Sequence, residues 1–170
     1  MLLGKAKSDS GDVAVDALIT NAIRLKQKKL SGQDVRVLLS LDAGTRTIHS
    51  DRILLQQAFV KIIVNALQAM DETQPCERML TIETKGNSDN LTIRFSDTGH
   101  GLKQTEEALF KAFATTKPHG MRLGLAMCRS IVTAHNGTIS ISDRNDRRGA
   151  RVEISLPEAI TQQVREPVEA

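Results

Sequence analysis

Asp97-Thr98-Gly99-His100-Gly101 sets one carboxylate and two glycines just where the alternating run Leu91–Phe95 ends. A carboxylate at a strand end accepts a hydrogen bond from an exocyclic amine such as adenine N6. Glycines beside it let backbone approach a flat ring closely. The same residues also suit an ordinary Asp-Gly turn, so this signal alone is weak.

A second cluster, Gly120-Met121-Arg122-Leu123-Gly124-Leu125, opens a helical pattern. Free N–H groups at a helix N-terminus attract anions, and glycine removes side chains that would block a phosphate. Its spacing is neither the GxxxxGK[ST] of a P-loop nor a GxGxxG after a first strand. A third feature is a polar stripe: Gln57, Lys61, Asn65 and Gln68 stand at i, i+4, i+8 and i+11, on one helix face. A solvated face explains three of them. Asn65, among Val64, Ala66 and Leu67, is different, because a buried amide needs a partner, which a metal ion or its water can supply.

The elements that must position these groups follow from periodicity and punctuation. Residues 1–12 read as a polar tether, and residues 158–170 as a polar tail beyond Pro157. Helical spacing of Ala14, Leu18, Ile19, Ala22 and Leu25 predicts a helix from Val13 to Leu30. Val35–Leu39 alternates as a strand, and Thr45–His49 as a short second one. Ser50 is expected to cap a long helix running to Met70, with Asp51 at its positive dipole end.

Leu80–Thr84 and Leu91–Phe95 read as strands joined by the turn Gly86–Asn90. Residues 97–122 form a long loop holding a short helix, the size of a functional lid. A last helix runs from Leu123 to His135 and stops at Asn136-Gly137, before strands Thr138–Ser142 and Arg151–Leu156. This order implies one α+β domain over 13–157: a two-layer α/β sandwich with helices on one face of a mixed, mostly antiparallel sheet.

Composition narrows the partners. With 170 residues the chain can bury a real core. Aromatics make up only 2%, which speaks against a single-strand nucleic-acid binder that stacks bases. The net charge of +3 is dispersed, so neither nucleic acid nor a membrane surface is expected, while an anionic small ligand is compatible. Cys76 and Cys128 show no metal spacing and fit a reduced, cytoplasmic setting. No apolar run reaches the ~20 residues of a membrane span, and the first residues do not form a signal peptide.

Together the three clusters are far more specific than any one. Leu55–Met70 resembles the N box of the gyrase, chaperone, histidine kinase and MutL superfamily, and Asp97–Leu102 its first glycine box. Leu109–Pro118 resembles the F box, and Gly120–Leu125 with the helix that follows the second glycine box. Within that superfamily the chain is similar to sensor histidine kinases, and its TTKP segment to nitrogen-regulatory and oxygen-sensing ones.

The resemblance implies a Bergerat-type fold and an ATP-binding catalytic domain that uses Mg2+. Asn65 would hold the metal, Asp97 would read the adenine amine, and Gly99 and Gly101 would border the base. Thr115, Thr116 and Lys117 would belong to a mobile lid anchored by Phe110 and Phe113. Gly120, Gly124 and Leu125 would offer backbone to the phosphates. His100, His119 and His135 are expected to be structural or surface residues.

Two positions depart from the family pattern. Lys61 stands where the family has Asn, or Glu in its ATP-hydrolysing members. A protonated lysine neither ligates Mg2+ nor activates water, though it can pair with a phosphate. Its presence argues against a gyrase-type ATPase. Arg122 replaces a glycine, and either donates to phosphate or blocks the triphosphate.

The implied activity is transfer of the ATP γ-phosphoryl to a histidine on a separate dimerisation domain, with a response regulator engaged indirectly. No His here begins a phosphoacceptor motif, so the chain is not expected to autophosphorylate alone. The alternative is a degenerate pseudokinase domain that binds nucleotide poorly and serves as an interaction module.

Overall fold

A computed structural model of the chain describes residues 10–44, 46–111 and 121–159, with the backbone only at 121–123. Five strands form the main sheet: β2 (Arg36–Asp42), β4 (Met79–Gly86), β5 (Asn90–Asp97), β6 (Thr138–Asp143) and β7 (Ala150–Pro157). Their order is β2-β4-β5-β7-β6. Only β2 and β4 run parallel; the other neighbours are antiparallel. A small ribbon pairs β1 (Ser10–Ala14) with β3 (Thr47–Asp51).

Period-two alternation decides which face is covered. Leu80, Ile82, Leu91, Ile93, Phe95, Ile139, Ile141, Val152, Ile154 and Leu156 are buried, and they are every second residue of their strands. Over them lie α1 (Val15–Gly32), α2 (Arg52–Ala69) and α4 (Met121–Ala134); a short α3 (Glu106–Phe110) sits beside α4. Phe59 of α2 meets Phe95 of β5 with ring centroids 5.7 Å apart. The opposite face carries Glu83, Arg94, Arg151 and Glu153, with an Arg94–Glu153 ion pair across β5 and β7. This is the expected two-layer sandwich with one open face.

Thr84 fastens the first helix to the sheet. Its buried hydroxyl accepts from the N–H groups of Asp42 and Ala43 and donates to Asp16 at the start of α1. At the other end of α1, the Val35 N–H bonds to the Leu30 carbonyl. The helix therefore runs back alongside β2.

Several boundaries differ from the sequence reading. Residues 10–12, expected in the tether, belong to β1, and the first helix starts at Val15 instead of Val13. Pairing with β3 supplies what local polarity hid. The cap of α2 is Asp51, whose carboxylate accepts from Ile53 and Leu54 N–H at 3.0 and 3.1 Å. Ser50, the expected cap, is 1% exposed and bonds the Asp51 carbonyl.

The last helix ends as read: Asn136 takes the left-handed conformation at φ 57°, and Gly137 N–H returns to the Val132 carbonyl. Beyond β7, Glu158 and Ala159 still donate to the Asp89 and Thr47 carbonyls. No helix among the described residues is long and apolar enough to cross a membrane.

Candidate functional site

β5 lies between β4 and β7, so its last residue, Asp97, emerges at the middle of the sheet's end. Asp97 is 7% exposed. Its Oδ1 accepts from Gly99 N–H at 2.8 Å and from Ala150 N–H at 3.3 Å. Both bonds converge on one oxygen, which leaves Oδ2 for a donor from a ligand. Burial raises the Asp97 carboxyl above its ordinary value of 3.8, opposed by those two N–H bonds and by the nearby His100 and Arg144.

The backbone around this carboxylate is tightly fitted. A Cβ on Gly99 would come within 2.4 Å of the Ala69 carbonyl oxygen, where α2 ends, and His100 N–H donates to that same oxygen at 3.1 Å. Gly99 thus seats the turn against α2. Gly101 takes φ 78°, and the next N–H, from Leu102, donates to Asp143 of β6 at 2.7 Å. Thr98 is buried, its hydroxyl accepting from Met79 N–H and donating to the Glu77 carbonyl. His100 bonds the Gly101 carbonyl, and His135 bridges the Ile131 carbonyl and the Asp51 N–H.

Three participants were not foreseen. Gly149 adopts φ 135°, and any Cβ there would lie 2.0 Å from the Asp97 carbonyl oxygen. Ala150 supplies the second bond to the carboxylate. Arg144 donates to the Asp97 carbonyl while its guanidinium binds Asp146, whose carboxyl it holds well below the usual range. In sequence, Asp143–Gly149 reads only as a polar turn; nothing local marks it as the wall of a site more than forty residues away.

The second part of the site is the seam between α2 and α4. Asn65 is half-buried on α2 and faces Gly124 on α4: a Cβ on Gly124 would stand 3.6 Å from Asn65 Oδ1, 3.7 Å from Nδ2 and 3.8 Å from Lys61 Cδ. Asn65 Nδ2 is buried and finds no hydrogen-bond partner among the described residues. Gln33 and Gln56 also hold an unpaired buried amide atom, but Asn65 is the one bordering a glycine of the second motif. Gln57, Lys61 and Gln68 are exposed, so the stripe narrows to a single inward amide with a cation at its rim.

Leu125 is 2% exposed and belongs to the core; its N–H lies one turn inside α4, where the helical ladder uses it. Beneath the seam, Cys128 donates to the Ala58 carbonyl, and burial pushes its thiol up to about 12, which makes it inert.

The short helix α3 is firmly held. Glu106 accepts from Ile141 N–H on the edge strand β6, Leu109 and Phe110 are buried, and the Arg129 guanidinium lies 4.9 Å over the Phe110 ring. Phe110 therefore packs into the core, with Arg129 over its ring. Phe113, Thr115, Thr116, Lys117, His119 and Gly120 lie outside the described residues. Arg122 falls in the first turn of α4, and its side chain is likewise outside them.

Comparison with known proteins gives the family to which the chain belongs. Residues 50–160 match the family model of histidine kinase-, DNA gyrase B- and HSP90-like ATPases. The sensor protein FixL of Bradyrhizobium diazoefficiens is 34% identical over 158 residues, covering 92% of this chain and 31% of its own. The sensor protein TdiS of Thauera aromatica is 29% identical, covering 84% of this chain and 26% of its own. The chain thus spans less than a third of the length of these relatives. Among solved structures, a nucleotide-free catalytic domain of the histidine kinase ThkA superposes with a TM-score of 0.77 at 22% identity, covering 88% of this chain and 95% of that one. That likeness carries the fold.

Proposed function

From the chain's membership in the family of histidine kinase-, DNA gyrase B- and HSP90-like ATPases, we propose that it is the ATP-binding catalytic domain of a two-component sensor histidine kinase. The observation that carries this reading is Asp97. It is a buried carboxylate held through one oxygen by Gly99 and Ala150, with the other oxygen left to accept an exocyclic amine. In this reading Oδ2 accepts from adenine N6, and Gly101 keeps the loop beside the base low.

The triphosphate end falls to the α2–α4 seam. Asn65 fits a Mg2+–phosphate group: half a turn of its amide presents either NH2 to a phosphate or the carbonyl oxygen to the cation or its water. Held by Asn65, Mg2+ would supply positive charge that neutralises the phosphates. Gly124 keeps the space beside Asn65 clear, Lys61 pairs with a phosphate at the rim, and the first turn of α4 directs its free N–H groups and dipole at the anion. Thr115, Thr116, Lys117 and Gly120, outside the described residues, would complete the contacts to ATP.

With no carboxylate at position 61, the chain lacks the side chain that would activate water there. Its contribution is positioning, so that the γ-phosphoryl passes to a histidine nitrogen on a separate dimerisation domain and from there to a response regulator. Titration calorimetry with a non-hydrolysable ATP analogue tests this. Binding that is strengthened by Mg2+ and prefers adenine over guanine is expected; equal affinity for ATP and GTP analogues would remove Asp97 from its role.

A further inference from the structure

The sheet has two edges, and they are treated differently. On β6, the N–H of Ile141 is taken by Glu106 of α3. On β2, no described residue covers the outer side, and the strand is short, unbroken by proline and apolar: Arg36-Val37-Leu38-Leu39-Ser40-Leu41-Asp42. Leu38 is 45% exposed and Leu39 47%. Leu25, midway along the helix that runs beside this strand, is 60% exposed. A bare apolar edge is a template for another strand.

Register decides which strand fits. Arg36 N–H donates to the Arg78 carbonyl, so Arg36, Leu38, Ser40 and Asp42 turn their backbone groups toward β4. Val37, Leu39 and Leu41 then direct both N–H and C=O outward. An antiparallel copy of β2 placed about a two-fold axis at Leu39 sets Val37 opposite Leu41, Leu39 opposite Leu39 and Leu41 opposite Val37. Every outward donor thereby meets an outward acceptor. The same register puts Arg36 opposite Asp42 at both ends. Neither side chain makes an ion pair within the chain among the described residues, so the charges are free to pair across the axis.

We propose that this edge is a self-association surface: β2 pairs antiparallel with β2 of a second copy, joining the two five-stranded sheets into one continuous sheet. The interface is isologous, as closed dimers require, and small enough to be weak and reversible. It is independent of nucleotide binding.

Charge reversal tests it. Sedimentation velocity over roughly 10 µM to 1 mM should show a monomer–dimer equilibrium in the parent chain. Arg36→Asp or Asp42→Arg, each setting like charges face to face, should weaken dimerisation about tenfold or more, and the double reversal should restore it. A parent that stays monomeric throughout, single reversals without effect, or a double no better than the singles would each overturn the proposal. A second measurement does not depend on those variants folding. In a Cys76→Ser background, Leu39→Cys should oxidise to a covalent dimer, because paired Cα atoms about 5.5 Å apart suit a disulfide. Leu38→Cys, facing Ser40 instead of itself, should not. Equal cross-linking of both, or of neither, counts against the register.

Discussion

The two halves of the site are built in opposite ways. Around Asp97 the protein satisfies itself: two backbone N–H groups hold Oδ1, Gly149 and Gly99 admit backbone where no side chain fits, and Asp143 pins the loop that follows. At the α2–α4 seam the protein leaves work undone, with a buried Asn65 donor unpaired beside Gly124. In the proposed function the first half is a rigid reader, its shape fixed before a ligand arrives, and the second is a place that a ligand would complete. The difference implies that substitutions in the first half damage folding and recognition together, whereas those in the second separate them.

Gly149→Ala should break the rigid half most severely. The new methyl meets the Asp97 carbonyl oxygen at 2.0 Å, in a backbone conformation of φ 135° that L-residues avoid. A loss of about 3 kcal/mol or more is expected, read as a lowered urea midpoint together with lost nucleotide binding. Near-parent stability would show that β7 shifts freely at this point, and the reader would not be rigid.

Asp97→Asn should instead sharpen the contrast within the reader. Asparagine keeps an oxygen for Gly99 and Ala150 but presents NH2 where the adenine amine needs an acceptor, at a cost of about 1.5–3 kcal/mol in binding, or roughly tenfold to more than a hundredfold. Its effect on the ligand-free protein has the other sign. Because burial raises the Asp97 carboxyl, the folded chain keeps this proton at a pH where the unfolded chain has released it. The group's contribution to stability is therefore fully present below the unfolded carboxylate value and is lost as pH rises through the raised one. The variant lacks that loss. Its melting temperature minus that of the parent should rise from acid toward neutral pH; a difference that stays flat or falls over that range would contradict the burial argument.

Much of the proposed reader was legible in the sequence because its carboxylate and two glycines fall within five residues, directly after the alternation of Leu91, Ile93 and Phe95, although the strand runs two residues further than read and takes in Asp97 itself. Its other wall was not. Gly149 and Ala150 touch Asp97 only because β7 is the antiparallel neighbour of β5, and pairing between distant strands leaves no local mark. Helical spacing put Asn65 on the right face, but the pairing with Gly124 needed the packing of α2 on α4. The edge ribbon was misread for a related reason: Ser10–Ala14 is polar and short, and it is a strand because β3 lies beside it.

Asn65→Leu probes the unfinished half. Replacing a buried, unpaired amide by an apolar group of similar size removes a desolvated donor, so the ligand-free chain should melt no lower than the parent. Mg2+-dependent affinity should fall by about 1–2 kcal/mol, near tenfold, while the affinity for adenosine stays close to that of the parent. Loss of stability matching the loss of binding would mean that the amide has a structural partner and that the seam is finished without ligand.

The smallest effect belongs to Arg122, in the first turn of α4 where the family resemblance calls for glycine. Two outcomes compete. A guanidinium beside the phosphates adds a charge-assisted contact, so Arg122→Gly should weaken triphosphate binding severalfold at low salt, and less so as added salt screens the charge. A guanidinium standing in the phosphate path would make Arg122→Gly bind more tightly and transfer phosphate faster to a supplied histidine-bearing helix. We expect the first, because a long flexible stem lets the charge move beside an anion that the free N–H groups of this turn already attract. Glycine also costs helix stability, about 1 kcal/mol against alanine, so a melt must accompany the titration. Affinity falling with a salt-sensitive slope, at a stability loss no larger than that, places Arg122 with the ligand-completed half; a gain in both affinity and transfer would make the native domain a pseudokinase.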